Sequence, residues 1–146
     1  MTGTVHAALG AAIGKVTNNA LLAFALGVVS HYVGDVIPHK DVGPIEAPTL
    51  LGTMGAITWR HGWKSPQFWG ALGAICPDFE HIPAELRRDP RRFDPMPEKF
   101  FPTHNGRAPH AGWPYSKASG VAMQAALLVV GLYIAGTLSK NSPATK

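Results

Sequence analysis

The C-terminal part of the chain contains an apolar run of membrane-spanning length, and this run constrains the fold more than any other feature. Residues 118–138, ASGVAMQAALLVVGLYIAGTL, contain no charged residue, and Lys117 and Lys140 flank them. About twenty apolar residues in a helix cross the hydrocarbon core of a bilayer. A core helix of a soluble domain would carry a polar stripe, which this run lacks. The sequence therefore predicts a C-terminal transmembrane helix.

The remainder of the chain is more polar. The charged fraction is 15%, against about 25% in typical soluble domains, and the mean hydropathy of +0.05 is too low for a chain that lies wholly in lipid. A single membrane-embedded domain over residues 1–146 fits both values. Because Cys76 is the only cysteine, a disulfide framework or a cysteine-based zinc finger within one chain is excluded.

The net charge of +4 raises the question of an acidic partner. The basic residues do not alternate with aromatic residues as in a nucleic-acid-binding module, so we expect no nucleic acid. Membrane lipids, including anionic headgroups, are the expected partners. The arginine-rich loop before the last helix is predicted to be cytoplasmic by the positive-inside rule.

Four further helices are predicted, some of them short or re-entrant, which makes the fold class all-α with about five helices. The stretch TNN at residues 17–19 supplies capping residues for the second helix, Ser65 is placed as the N-cap of the fourth, and Pro66 stands at its first helical position. The predicted helices cover residues 4–15, 19–36, 49–59 and 66–76, the last ending at Pro77. Residues 77–114, rich in Pro and Arg, are predicted to form an ordered functional loop, and residues 141–146 a flexible tail.

Histidines recur at three places beside the apolar segments, and at two of these places acidic residues accompany them. His31 and Asp35 are four residues apart and so share a helix face. Charged groups on an apolar segment are costly unless something pairs with them. The candidate metal ligands are His6, His31, Asp35, His39, Asp78, His81, His104 and His110.

Imidazole and carboxylate ligands together suit zinc, and also manganese or iron. Sites of this kind with more than four ligands often hold two metal ions bridged by a carboxylate, which clamp a phosphoester and activate water. Arg107, between two of the histidines, could hold a phosphate oxygen. Glu80 and Asp41 are the candidate general bases.

The stretch HYVGD…PH, residues 31–39, resembles the signature of bacterial zinc-dependent phospholipases C. That signature reads His-Tyr-x-Gly-Asp, followed by a Pro and a His. The resemblance implies that His31 and Asp35 are metal ligands. Here the Pro and His follow with tighter spacing, which leaves open whether His39 is the third ligand.

A second resemblance extends from residue 6 to about residue 136. The membrane-bound metal-dependent hydrolases of bacterial inner membranes look similar in having an early His on a Gly/Ala helix, a Gly-x-x-x-Pro-Asp-x-Asp-His stretch and a late His-x-Gly-x-x-His stretch. The corresponding stretches here are His6, GAICPDFEH at residues 73–81, in which Glu80 replaces the second Asp, and HNGRAPH at residues 104–110, which is one residue longer. The resemblance implies a helical protein of the inner membrane with a His/Asp metal centre.

Three functions remain open from the sequence. The first is a metal-dependent hydrolase acting on a phosphoester such as a phospholipid. The second is a non-catalytic subunit of a larger membrane complex or homo-oligomer, in which the polar residues form a structural metal site or a buried hydrogen-bond network. The third, ligation of haem by the histidines, is disfavoured by the neighbouring carboxylates.

Overall fold

Five α-helices and one short 3₁₀ helix make up the regular structure in a computed structural model that describes residues 1–37, 39, 45–83, 99–108 and 116–138. Within these residues the chain is all-helical and has no β-strand, as the sequence predicts. The helices are α1 (Gly3–Thr17), α2 (Ala20–Val36), α3 (Glu46–His61), α4 (Pro66–Ile75), the 3₁₀ helix (Cys76–His81) and α5 (Lys117–Ala135). The predicted tail at 141–146 lies outside the described residues, as does much of the predicted loop.

Local signals explain where most helices begin. The Asn19 side chain accepts a hydrogen bond from the Leu22 N–H at 2.9 Å, and the Ser65 hydroxyl accepts one from the Phe68 N–H at 3.1 Å. Each caps a helix that starts one residue later, at the predicted place. Helix α3 begins three residues earlier than predicted. Its Pro48 lies in the first turn, where a missing N–H costs no intrahelical bond.

The prediction that helical structure stops at Pro77 is wrong, because the chain stays helical beyond this residue. The α-helical geometry ends at Ile75, and the chain continues as the 3₁₀ helix through His81. Pro77 stands in the first turn of that 3₁₀ helix, where its fixed φ is compatible with the turn. As a consequence, Asp78 and His81 lie on one ordered turn.

Helix α1 lies at the centre of the bundle and packs against α2, α3, α4 and α5. Its contact with α4 is made by small residues, since Ala7, Ala11 and Ala71 are fully buried. A Cβ placed on Gly10 would overlap the backbone oxygen of Gly70, so the two helix backbones are in direct contact. Close approach through Gly and Ala is typical of helix packing in membranes.

Helix α5 is the predicted membrane segment. It has 19 residues, a mean hydropathy of 1.8 in its most apolar window and only 22% of that window buried, so it is long and apolar enough to cross a membrane. It ends at Ala135, earlier than predicted, because Gly136 adopts a left-handed conformation with φ of 78°. Helix α2 is also apolar, but its 17 residues make it shorter.

Candidate metal centre

Asp35 is the centre of a buried polar cluster. Its Oδ2 accepts a hydrogen bond from the Thr103 hydroxyl at 2.7 Å and lies 3.1 Å from His31 Nε2. Its Oδ1 lies 3.2 Å from both His6 Nε2 and the Met1 amine. The side chain of Asp35 is 3% exposed. A buried carboxylate needs this degree of pairing, because an uncompensated charge would cost several kcal/mol, ~3–5 by analogy with broken ion pairs.

The orientation of His31 follows from its place on α2 and from a neighbouring helix. His31 and Asp35 are one turn apart, and both are buried. The Nδ1 of His31 donates to the Ala74 carbonyl at 2.7 Å. A carbonyl oxygen only accepts, so the proton is on Nδ1 and the Nε2 side of the ring faces the cluster.

Two further donors come from distant parts of the sequence. Asp78, on the 3₁₀ helix, places its Oδ1 3.6 Å from His31 Nε2 and 3.7 Å from His104 Nε2. His104 Nε2 lies 3.4 Å from His31 Nε2 and 3.5 Å from Asp35 Oδ2. The side chains of His31 and His104 are 0% and 2% exposed, whereas that of Asp78 is 31% exposed.

The spacing of these four atoms matches metal coordination. Five of the six separations between them are 3.1, 3.4, 3.5, 3.6 and 3.7 Å, and the sixth joins Asp35 to Asp78. Zinc bonds to nitrogen and oxygen of 2.0–2.1 Å in a tetrahedron imply ligand-to-ligand distances of about 3.3 Å. His31, Asp78 and His104 could therefore hold one metal ion, and Asp35 Oδ2 lies close to both of the imidazole nitrogens.

A second set of donors shares two residues with the first. His6, His31 and Asp35 have donor atoms within 4.8 Å of one another, as do His31, Asp78 and His104. The rings of His6 and His31 are stacked with centroids 4.1 Å apart. Because His31 offers only Nε2, it can serve one ion. A second ion on the His6 side would depend on Asp35 Oδ1.

Glu80 organises the loop that carries His104. Its carboxylate accepts hydrogen bonds from the backbone N–H groups of Phe100 and Phe101, the latter at 2.9 Å. The same carboxylate lies 3.4 Å from His104 Nδ1, on the far side of the ring from Asp78. A carboxylate behind a metal-binding histidine orients the ring and raises its basicity.

His81 lies at the edge of the cluster. Its Nε2 is 3.9 Å from Asp78 Oδ1, and its Nδ1 accepts a hydrogen bond from Lys99 Nζ at 3.2 Å. Its ring lies against that of His104, with centroids 4.3 Å apart. The protonated lysine therefore turns the Nε2 of His81 toward Asp78.

The cluster perturbs the pKa values of its members. Burial lowers the pKa of His6 to about 3, so its imidazole is neutral in the folded chain. Burial also opposes protonation of His31, but the hydrogen bond to Asp35 and the charge of Asp78 outweigh it and raise the pKa of His31. Burial disfavours ionised Asp35, yet hydrogen bonds from His104, His31 and His6 hold its pKa below the ordinary value. The carboxyl of Asp78 is only partly exposed, and this partial loss of solvent raises its pKa, although the charge of His31 opposes the shift.

The predicted ligands fall into three groups. The structure brings six together: His6, His31, Asp35, Asp78, His81 and His104. His39 is buried and its Nδ1 donates to the Ile37 carbonyl at 2.8 Å, within its own turn. His110 lies outside the described residues.

The predicted catalytic residues are distributed differently. Glu80 is next to the cluster but is engaged with the backbone of the 99–108 segment. Arg107 is exposed, and its backbone N–H donates to the Asn105 side chain at 3.0 Å. Asp41 lies outside the described residues.

The sequence reasoning missed Thr103, which is fully buried and donates to Asp35. Its position directly before His104 was a weak signal, since a hydroxyl beside a predicted ligand often bonds another ligand. It also missed Gln124 of α5, whose side-chain oxygen accepts from the Thr2 N–H at 2.9 Å and holds the N-terminal segment beside the cluster.

No protein-family model, no curated protein and no solved structure matches this chain. What the cluster can do chemically is therefore inferred from its geometry alone. Buried histidine and aspartate donors at coordination spacing could hold a metal ion and, with it, a water molecule.

Proposed function

We propose that this protein is a membrane-bound metal-dependent hydrolase that acts on a phosphoester. One observation carries the proposal: His31, His104, Asp35 and Asp78 come from three separate segments, and five of the six distances between their donor atoms are 3.1–3.7 Å. Nitrogen and oxygen donors at this spacing favour zinc, and manganese and iron accept the same ligand types.

The chemistry follows from the exposure of the ligands. Asp78 is the most exposed of the four donor side chains, so a substrate reaches the ion from its side. A bound zinc lowers the pKa of a water ligand to about 7 and polarises a phosphoryl oxygen. His31, His104 and Asp78, with Asp35 beside them, would hold the ion, and the ion would supply the activation of a water molecule. Glu80 acts on His104 as a positioning residue in this scheme.

We also propose that the protein is anchored in a membrane. Helix α5 supplies the anchor, and large apolar side chains on other helices are exposed, such as Leu21 at 81% and Leu51 at 73%. Surfaces of this kind suit contact with lipid. A bacterial inner membrane is the expected location, and a phospholipid is a substrate available there.

The first experiment is the metal content of the purified chain by elemental mass spectrometry, after loading with zinc or manganese and desalting. We expect at least one ion per chain for the wild type and for His61→Gln, and a loss of metal in His31→Gln and Asp35→Asn. His61 is a matched control because it lies far from the cluster and bonds Thr137 at 3.1 Å. Absence of metal from the wild type would contradict the proposal. Loaded protein is then assayed on soluble and lipid phosphoesters.

A structural metal site is the second candidate, and one observation favours it. The donors are buried at His31, His104 and Asp35, with side-chain exposures of 0%, 2% and 3%, and a zinc site closed by protein ligands is the pattern of non-catalytic sites. The chain would then be an accessory subunit of a membrane complex. The phosphoester assay distinguishes the two candidates, because a structural site predicts no turnover of any phosphoester. A structural site also predicts that the zinc ion stays bound and that the protein unfolds when a chelator removes it. Partner chains should then co-purify in a stoichiometric ratio.

A further inference from the structure

The C-terminal ends of α1 and α3 lie close together and carry basic residues. Burial lowers the pKa of His61, and the positive charges of Arg60 and Lys15 lower it further, so both cations act on one imidazole. Lys15 is in the last turn of α1 and is exposed, and Arg60 is in the last turn of α3 and is partly buried. Two helices thus bring positive charge to the same end of the bundle.

The turn between α3 and α4 adds a third cation and two exposed aromatic rings. Lys64 is exposed, and its Nζ lies 5.0 Å from the centre of the Trp63 ring. Trp63 and Trp59 are 61% and 83% exposed. The turn packs on the end of α1, since a Cβ on Gly14 would overlap the backbone of Pro66. We call this surface the basic end, and its members are Lys15, Trp59, Arg60, Trp63 and Lys64.

The acidic side chains within residues 1–37, 39, 45–83, 99–108 and 116–138 lie at the other end of the bundle. They are Asp35, Glu46, Asp78 and Glu80. Glu46 accepts a hydrogen bond from the Gly3 N–H at the start of α1, and Lys15 is about 18 Å further along that helix at 1.5 Å per residue. The basic end therefore keeps a positive field, which favours an anionic partner.

Helix α5 relates the basic end to the depth of the membrane. Its 19 residues are about 28 Å long, close to the ~30 Å of a hydrocarbon core. Gln124, in the first half of α5, bonds Thr2 beside the cluster. Past the other end of α5, Thr137 lies 3.1 Å from His61 Nε2, and a Cβ on Gly136 would contact the same ring. With α5 across a bilayer, the basic end lies where the hydrocarbon core meets the headgroups, the depth at which tryptophan is enriched.

We propose that the basic end binds the headgroups of anionic phospholipids, at the membrane surface opposite the metal cluster. The inference rests on the membrane anchoring proposed above and is independent of the metal centre. Exposed tryptophans beside the cations favour a headgroup over a soluble phosphate, because a ring at that depth gains contact with the hydrocarbon below the charge. Each Lys or Arg near an anionic membrane surface strengthens the attraction by up to about fivefold.

The test compares two photoactivatable phospholipids that differ only in headgroup charge. The protein is reconstituted in phosphatidylcholine nanodiscs with a trace of a phosphatidylglycerol or a phosphatidylcholine probe, and cross-linked residues are mapped by mass spectrometry. We expect the anionic probe to label residues 59–64 at least about fivefold more than the zwitterionic probe. The double variant Lys15→Gln with Lys64→Gln should lower this ratio to less than about twofold. Lys117→Gln, an exposed lysine at the other end of α5, is the matched control and should leave it unchanged.

Equal labelling of residues 59–64 by the two probes would overturn the inference, and so would a ratio that persists in the double variant. Absence of labelling there by either probe would overturn it as well. Alkaline carbonate extraction of the protein from vesicles separates these results from a failure of membrane anchoring. Release of the wild type would contradict the anchoring, whereas retained protein with equal labelling leaves the anchoring intact. Metal content and phosphoester turnover test the hydrolase separately.

Discussion

Gly34 of α2 provides the space for the imidazole of His6 on α1. A Cβ on Gly34 would come within 2.6 Å of His6 Cε1 and 3.1 Å of His6 Nδ1. The absence of a side chain at Gly34 therefore allows the His6 ring to reach Asp35, the next residue of α2. This contact couples the packing of the first two helices to the geometry of the cluster.

Gly34→Ala should displace the His6 ring and destabilise the protein. We expect a loss of about 1–3 kcal/mol in the free energy of unfolding, the usual cost of overpacking a filled site. The measurement is chemical denaturation of the detergent-solubilised protein. Gly52→Ala is the matched control, because a Cβ at Gly52 meets nothing within 4 Å. The control should be neutral or slightly stabilising, by up to ~1 kcal/mol. Equal stability of the two variants would contradict the packing argument.

Asp35→Asn should affect metal binding far more than Asp78→Asn. Asp35 faces His6, His31 and His104, whereas Asp78 is at the accessible side of the cluster. We expect the Kd for zinc, measured by competition with a chromophoric chelator, to rise more than about a hundredfold for Asp35→Asn and less for Asp78→Asn. The reverse order would show that Asp35 is a structural carboxylate and not a ligand.

Glu80→Gln separates a positioning role from a catalytic one. The glutamine keeps one oxygen to accept from the backbone of residues 100–101 but loses the charge behind His104. A positioning role predicts a rise of about 10–100-fold in the Kd for metal, with the remaining loaded enzyme still active. A general base at Glu80 predicts instead an unchanged Kd and a large fall in kcat.

The stability of the metal-free protein should pass through a maximum near pH 6.5. The raised pKa of His31 means that its protonation stabilises the folded chain, and this contribution is lost as pH rises above 6.5 through the folded value. The pKa of His6 is about 3 in the folded chain, so below pH 6.5 only the unfolded chain takes up that proton. The His6 contribution to stability then falls toward pH 3, by up to ~1.4 kcal/mol per pH unit, and the raised pKa of Asp78 opposes this fall once that carboxyl takes up a proton.

The check is the melting temperature in the presence of a chelator, recorded from pH 4 to 9. His6→Phe should flatten the acidic limb, because no proton is then gained on unfolding at that position. A profile whose acidic limb is the same in the wild type and in the variant would show that His6 does not cause it.

Much of the helical framework could be predicted from the sequence because its signals are local. Asn19 and Ser65 cap the helices that follow them, and the uncharged run after Lys117 forms α5. The pairing of His31 with Asp35 is likewise a matter of helical spacing. The end of α4 was predicted less well, since a Pro in the first turn of a 3₁₀ helix reads in the sequence as a stop.

The composition of the cluster was predictable only as a list of candidates. Residue type marked His6, His31, Asp78 and His104 as possible ligands, but spacing along the chain says nothing about a contact between positions 31 and 104. In the structure Arg107 is exposed, and the Glu80 carboxylate lies next to His104 Nδ1, on the side of the ring away from Asp78.

Hydrophobic pattern and capping act over a few residues, so they indicate which segments are apolar helices and which residue types lie at their ends. That Asp35 is the shared partner of donors from α1, α2 and the 99–108 segment depends on how the helices pack. The physical reason is that small residues on α1, α2 and α4 let the helix backbones approach closely, and that approach brings buried polar groups from distant positions together.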